Sequence, residues 1–558
     1  MSLKVVIIGG VAAGPKTAAK IVRQNPDAQV TVLEKGPFLS FAGCGLPYYV
    51  SGVVKEQKAL MSTPVGVVRD AAFFQKVKIV KVLTETEALE IDRAGKRVRA
   101  RQNGQGDDLW LEYDKLVLAT GARPITPPIH GVGLENIATL HSVPDAEKLK
   151  ALAVQSKDRE VVIVGGGLIG VEVVESLLEY DCHITLVEMM PHILRMLDWE
   201  MARLVERNME LYGVKVLTNT TVTSFEGEGK VSAVITSRGR LPADLVVLGI
   251  GVKPNADLAR AAGLQVGVTS GIKVNESLQT SDPDIYAVGD CAESMDLVTG
   301  KPCYVPMGST ANKQGRVAAI NICGGQDRFP GILGSAVCKV FDFCVARTGL
   351  TEAAARQLGY NTVTVLVPEA DHPHYMPQAK LIIIKLVVDK ATRKLLGAQA
   401  VGPGEGDKRM DIAAMAITAG MTVDQLSKVD LCYAPPYSPA LDNIITAANV
   451  ARNKLDGLVS GITPMEVKAQ LDAKKDFLFL DVRTPLEFKQ EHLPGSTLIP
   501  LGELRSRLGE LPKDKEIVTF CKVSLRGYEA ARILQGAGFT HVRVMDGGVA
   551  VWPFDDAD

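Results

Sequence analysis

Three observations predict an α/β fold of several domains. The stretch KVVIIGGVAAGPKTAAKIV (4–22) reads as a buried strand, a glycine turn and a helix, and AQVTVLEKG (28–36) adds a second strand ending in Glu34. The same succession returns in REVVIVGGGLIGVEVVESLLEYDCHITLVEMM (159–190), this time ending in Glu188. After ARNKLDGLVSG (451–461) the chain starts afresh with a further α/β segment. Strands alternating with helices make parallel sheets covered by helices. The glycine turns make the first two units Rossmann-like nucleotide-binding folds.

In the first unit Gly9 and Gly14 let the backbone approach a pyrophosphate, and the helix N-terminus faces that charge. Val11 stands where a middle glycine is expected. Glu34 is placed to accept hydrogen bonds from ribose hydroxyls; Lys35 beside it and Ser40 further on are read as cofactor contacts. The second unit has Gly165, Gly167 and Gly170 in full register. Glu188 would bond a ribose diol and repel a 2′-phosphate, and Met189 and Met190 supply no cation to hold one. NADH is therefore expected over NADPH.

YDKLVLATGARP (113–124) is a strand running into the turn at Thr120 and Gly121, and ADLVVLGIGVKPN (243–255) has the same shape. TSDPDIYAVGDCAE (280–293) ends a strand at Gly289 and Asp290. An acid at such a strand end can bond the ribityl hydroxyls of a flavin. The chain thus makes the first nucleotide unit, then the second, and returns to the first.

Composition bounds the function. The 558 residues allow three or four domains, and 46% hydrophobic residues, 23% charged residues and a net charge of −2 are ordinary for a globular protein. No basic excess points to nucleic acid. No apolar run reaches the ~18 residues of a membrane span, and the N-terminus reads as a strand rather than a signal peptide. Nine scattered cysteines without a CxxC pair or zinc spacing indicate a reducing, cytoplasmic setting and no metal.

On these motifs residues 1–450 resemble the pyridine nucleotide-disulfide oxidoreductase family. The resemblance implies FAD in the first unit, NAD(P)H in the second, a C-terminal dimerisation domain and a homodimer. Family members with paired redox cysteines carry C-x4-C. Here SFAGCGLPYYVSG (40–52) has Cys44 alone. A single thiol beside a flavin can cycle through a sulfenic acid or a mixed disulfide. Gly43 and Gly45 are read as clearing space around it. Single-cysteine peroxidases carry a histidine in the first glycine loop where this chain has Ala12. The coenzyme A-disulfide reductase branch matches SFAGCGLPYY more closely. Its two C-terminal tyrosines correspond to Tyr375 in HPHYMPQAK and Tyr433 in CYAPPYSPALD. Either phenol could protonate a leaving thiolate. Lys20 and Arg23, one helical turn apart, and Arg69 are the cations expected to meet anionic coenzyme A.

Residues 461–558 resemble a rhodanese domain. CKVSLR (521–526) is a strand end, a tight loop and a helix start. Cys521 is expected in a ring of backbone N–H groups, a setting that favours an anion. Lys522 and Arg526 are expected to add positive charge. The six-residue loop fits sulfur transfer rather than phosphate chemistry. Asp481 and Arg483 are read as structural, His492 as a satisfied polar side chain at a turn, and Cys182, Cys291, Cys338 and Cys344 as packing residues, the last two flanking an apolar strand.

The expected domains are a FAD domain (1–115 and 250–325), an NAD domain (116–249), an α+β dimerisation domain (326–452) and an α/β rhodanese domain (461–558). Fused, they imply an NADH-dependent flavoprotein that reduces the sulfane sulfur of coenzyme A persulfide or polysulfide through Cys44. Cys521 carries sulfur in this reading. The alternatives are a coenzyme A-disulfide reductase with an accessory rhodanese domain, an NADH oxidase or peroxidase, and a sulfurtransferase serving an acceptor.

Overall fold

A computed structural model describes residues 2–103, 108–155 and 157–554. Residues 555–558 of the expected rhodanese segment fall outside that range. The chain forms two compact units. One holds residues 1–191 and 213–332, the other residues 192–212 and 333–558.

The first unit is built twice on one plan. Its first sheet has five parallel strands in the order Ile285–Ala287, Lys115–Leu118, Lys4–Ile8, Gln29–Leu33, Lys81–Leu83. Its second has five in the order Lys215–Leu217, His183–Val187, Glu160–Val164, Leu245–Leu248, Ile137–Ala138. The central strands are buried along nearly their whole length, because helices cover both faces of a parallel sheet. A three-stranded antiparallel ribbon accompanies each: Thr86–Asp92, Arg97–Gln102 and Leu109–Glu112 for the first, Val222–Glu226, Ala233–Thr236 and Gly239–Pro242 for the second. Ala122–Pro124 pairs with Val252–Pro254, so both crossings between the halves run side by side.

The second unit contains a five-stranded antiparallel sheet, Ala336–Val340, Phe343–Gly349, Leu395–Gly402, Leu381–Asp389, Thr362–Ala370, with helices Gly406–Thr418 and Asn443–Leu455. It also contains a parallel sheet in the order Gly461–Ile462, Val542–Met545, Glu516–Phe520, Phe477–Asp481, Ser496–Leu498. Lys454 Nζ bonds Asp546 at 2.6 Å and the Thr364 carbonyl at 2.7 Å, tying the two sheets together. The helix Trp199–Leu211 lies within 116–249 in sequence yet packs in this unit. The cause is Lys385, 1% exposed, whose ammonium meets Asp198 at 2.9 Å, Glu200 at 2.5 Å and Glu352 at 2.7 Å. Arg207 on the same helix donates to the Trp552 carbonyl at 2.9 Å.

Among the described residues no helix is long and apolar enough to cross a membrane, and no group of three or more His, Cys, Asp or Glu is placed to hold a metal.

Candidate active sites

The two glycine turns are built alike. A Cβ on Gly14 would lie 1.9 Å from the Gly9 carbonyl oxygen, and a Cβ on Gly170 would lie 1.9 Å from that of Gly165. Only glycine lets each helix start this close to its strand. Gly9 and Gly165 themselves hold φ of 116° and 106°, where a side chain is strained. The acids also correspond. Glu34 accepts from Gly10 N at 2.6 Å and Gly36 N at 2.7 Å; Glu188 accepts from Gly166 N and Met190 N, both at 2.8 Å. Each carboxylate therefore fixes its own glycine turn. A carboxylate has about four acceptor directions, so a ribose still finds acceptors there. Burial pushes the Glu34 carboxyl up, and the Gly36 and Gly10 N–H groups oppose it. Gly167 has no neighbour nearer than 3.9 Å to a Cβ, leaving clearance at the second turn. Ser40 N donates to Gly10 O at 2.9 Å and brings the cysteine segment to the first turn, whereas Lys35 pairs with Glu87 at 2.9 Å on the surface.

Cys44 sits in a single turn, Gly43–Gly45, ahead of the helix Leu46–Val50. The flanking glycines do different jobs. A Cβ on Gly43 would meet nothing within 4 Å, but one on Gly45 would lie 2.6 Å from Leu60 Cδ2. Gly43 is clearance; Gly45 is packing, contrary to the equal role expected of both. The sulfur-bearing residue is open to solvent, yet the surrounding protein desolvates it enough to push the thiol pKa up, and the carboxylates of Glu172 and Asp290 push it further.

The second nucleotide unit holds the short helix by its carbonyls. Ser176 Oγ donates to Pro47 O at 3.0 Å, Lys150 Nζ to Tyr49 O at 3.0 Å, and Tyr180 OH to Val50 O at 2.6 Å. Sequence reasoning missed all three, because nothing local marks them. Glu172, on the same helix as Ser176, is pushed up to about 7 by burial and by Glu175.

Asp290 follows Gly289, whose N–H donates to Gln314 Oε1 at 2.7 Å. Burial pushes the Asp290 carboxyl up, against the pull of His141. Thr120 Oγ1 donates to Asn255 O at 2.6 Å and Asn255 N to Gly121 O at 2.9 Å, so these turns pin both crossings together. A Cβ on Gly121, like one on Gly43, would meet open space. The Tyr304 hydroxyl is buried without a partner near Asp290. An orphaned donor, a buried acid and open glycines suit a bound flavin.

The expected coenzyme A cations divide. Arg69 donates to Met61 O at 3.2 Å and Ser62 O at 2.7 Å, bracing the segment whose Leu60 packs on Gly45. Arg23 folds onto the Ala19 carbonyl at 2.7 Å, and Lys20 lies near Cys323. Among the described residues no bond links either of these two to the Cys44 turn.

In the second unit Tyr375 (62% exposed) and Tyr433 (52%) project from two loops. Buried His372 joins those loops: Nδ1 lies 2.8 Å from Asp371 Oδ1 and Nε2 lies 3.2 Å from Pro436 O. No local sequence feature marks this tie.

Cys521, fully buried, ends the strand Glu516–Phe520 and precedes the helix Leu525–Gly536. Its carbonyl accepts from Val549 N at 3.0 Å, and that of Lys522 from Ala550 N at 3.0 Å. With these carbonyls engaged, the backbone N–H groups of 522–527 take no acceptor among the described residues. Such free N–H groups are the donors an anion-binding ring requires. Arg526 departs from expectation. Its guanidinium forks onto Glu487 at 2.8 and 2.7 Å, so its charge is matched. Asp481 and Arg483 form a buried fork at 2.7 Å, structural as read, whereas His492 is exposed and stacks on Phe488 instead of taking the expected polar partner at a turn. Cys182, Cys291 and Cys338 are buried; Cys338 and Cys344 lie within strands rather than beside one.

Three family models match the chain: pyridine nucleotide-disulphide oxidoreductase over residues 3–303, the dimerisation domain of that family over 335–445, and a rhodanese-like domain over 463–553. The chain is 37% identical over 453 residues to an NAD(P)H coenzyme A polysulfide/persulfide reductase of Pyrococcus horikoshii, covering 81% of this chain and 99% of that protein. It superposes on an NAD-dependent persulfide reductase from A. fulgidus with a TM-score of 0.94 and 47% identity, covering 99% and 100% of the two chains. It superposes on reduced Bacillus anthracis CoADR-RHD with a TM-score of 0.93 and 38% identity, covering 99% and 98%. The twin glycine turns, the lone cysteine before its short helix and the second cysteine in its amide ring thus have one explanation in descent: the chain belongs to the pyridine nucleotide-disulphide oxidoreductase family and carries a rhodanese-like domain at its C-terminal end.

Proposed function

We propose that the chain is an NADH-dependent flavoprotein that reduces the sulfane sulfur of coenzyme A persulfide and of polysulfide, releasing sulfide. The observation that carries this reading is the pairing, in one chain, of a lone accessible Cys44 at a junction of two nucleotide turns with Cys521 in a ring of free amides. The names of the P. horikoshii and A. fulgidus relatives support it.

The chemistry assigned to the residues is as follows. The Cys44 thiolate attacks the inner sulfur of coenzyme A persulfide; the S–S bond breaks, hydrosulfide leaves, and a Cys44–coenzyme A disulfide remains. Flavin, when bound, would supply the two-electron reduction from NADH that returns both thiols. The overall change is persulfide + NADH + H⁺ to coenzyme A + H2S + NAD⁺. Gly43 gives access to the sulfur. Burial, with the carboxylates of Glu172 and Asp290 adding to it, favours the protonated thiol of Cys44 in the resting protein. Glu34 and Asp290 with Gly9, Gly14, Thr120, Gly121 and Gly289 would hold FAD; Glu188 with Gly165, Gly167 and Gly170 would hold NADH. Tyr375 and Tyr433 protonate or steady the leaving thiolate, and Arg69 braces the coenzyme A side of the Cys44 turn. Cys521 carries sulfur within its amide ring. The dimerisation-domain match supports a homodimer, and scattered cysteines without a CxxC pair support a reducing cytoplasmic location. The domain limits are taken as those expected from sequence, except that residues 192–212 fold with the second unit rather than with the rest of 116–249.

The test follows NADH consumption and sulfide together, with polysulfide as substrate, with and without coenzyme A. We expect sulfide to track NADH and the rate to fall by about a hundredfold or more in Cys44→Ser. Brisk NADH turnover on coenzyme A disulfide or oxygen with no sulfide from polysulfide would overturn the reading.

A further inference from the structure

Glu487 stands at the third position of the helix Pro485–Gln490 and takes four hydrogen bonds. Two come from Thr484, N at 3.0 Å and Oγ1 at 2.8 Å, in a capping box. Two come from the Arg526 guanidinium, at 2.8 and 2.7 Å. Oε2 takes three of these bonds and Oε1 one, so the orientation of the Glu487 carboxylate is fixed. The two-point fork fixes the guanidinium in turn. Arg526 closes the loop that Cys521 opens and interacts electrostatically with its thiol. This cation is aimed by Glu487, and its charge is balanced there. Lys522 is exposed, and the attraction left at the thiol is that of the free amides of 522–527.

We propose that Glu487 is a positioning residue that sets the charge of the sulfur donor Cys521 accepts: it holds Arg526 as an oriented donor in a pair without net charge, so the loop favours neutral or singly charged organic persulfides over small dianions such as thiosulfate. This rests on the reading of Cys521 as a sulfur carrier. From an organic persulfide, the Cys521 thiolate takes the outer sulfur, the S–S bond breaks and a thiolate leaves. From thiosulfate, the same bond change releases sulfite. Only the second brings two negative charges up to the Glu487 carboxylate.

The experiment compares flavin-loaded wild type with Glu487→Gln and Glu487→Asp. Gln keeps an oxygen for the Thr484 cap and removes the charge; Asp keeps the charge. Alkylation of Cys521 by iodoacetate (an anion) and by iodoacetamide (neutral) is followed by peptide mass spectrometry. The reagents are similar in size, so their ratio cancels access to a buried thiol. In Glu487→Gln we expect the iodoacetate-to-iodoacetamide ratio at Cys521 to rise about three- to tenfold, with the ratio at Cys44 unmoved and Glu487→Asp returning towards wild type. In sulfur transfer to cyanide, KM for thiosulfate should fall in Glu487→Gln while KM for glutathione persulfide stays put. An unchanged ratio at Cys521, in protein that still loads sulfane sulfur, would reduce Glu487 to a helix cap and overturn the proposal. A shifted ratio with no sulfur loaded from either donor would uphold the electrostatic role and remove the carrier reading instead.

Discussion

At Cys44 burial and charge act in the same direction: desolvation is the larger cause of the raised thiol pKa, and Glu172 and Asp290 add to it. Glu172→Gln should therefore lower that pKa only partly, speeding iodoacetamide alkylation of Cys44 at pH 8 about threefold in the NADH-free protein. An unchanged rate would mean that burial alone governs the thiol. Glu172 itself is displaced from 4.5 to about 7 by burial and Glu175. Its folded-state pKa lies above its unfolded one, so the contribution to ligand-free stability is full below pH 4.5 and is lost as pH rises through about 7. Glu172→Gln should flatten that fall in a pH series of thermal melts. Cys44 was legible because its glycine flanks and missing partner are local features. Glu172 was visible in GVEVVE but silent, since what gives it meaning is the packing of Leu168–Leu178 on Leu46–Val50. Arg526 was misjudged for the same reason: its charge is in the sequence, but Glu487, which cancels it, comes from another helix.

Elements explain why the two nucleotide turns were so readable. Strand, glycine turn, helix and acid lie within about 30 residues, so one short window holds the whole pattern. What the window does not show is that each acid spends two acceptor directions on its own turn, Gly10 and Gly36 in one case, Gly166 and Met190 in the other. The duplication makes a paired prediction. An added methyl at Gly14 or Gly170 would lie 1.9 Å from a carbonyl oxygen, so helix and strand must separate. Such overpacking costs about 1–3 kcal/mol or more. Gly14→Ala should purify with little bound flavin, judged by absorbance near ~450 nm. Gly170→Ala should keep its flavin but need about tenfold or more NADH for half-maximal reduction. Equal flavin loss in both variants would show that the two turns do not serve separate nucleotides.

On the scale of the whole molecule, the division of the chain turns on one side chain that sequence reading passed over. Lys385 lies in the middle of LIIIKLVVD, a strand that reads as core, and a lysine there demands partners. Asp198 and Glu200 supply two of its three carboxylates from the start of the helix Trp199–Leu211, which is why residues 192–212 fold with a sheet encoded far downstream. No local pattern could reveal this, because the partners meet only after folding. Despite its burial, Asp198 is held below the usual carboxylate range by Lys385 and by the Glu352 N–H, so in the wild type its contribution is lost as the solution turns acid. Lys385→Met reverses the sign. Three carboxylates are then left without a cation, their folded pKa values rise above the unfolded ones, and protonation relieves them. The variant should lose about 3–5 kcal/mol at pH 7.5 and regain part of it by pH 5, while the Asp198 contribution in the wild type holds over that interval and is lost only as pH falls below its unfolded value of 3.8. Two of the three tryptophans, Trp199 and Trp552, lie in this unit, so urea unfolding followed by tryptophan fluorescence at the two pH values reads it directly. Parallel pH slopes in the two proteins would mean that the carboxylates find other partners, and that Lys385 does not hold the segment in place.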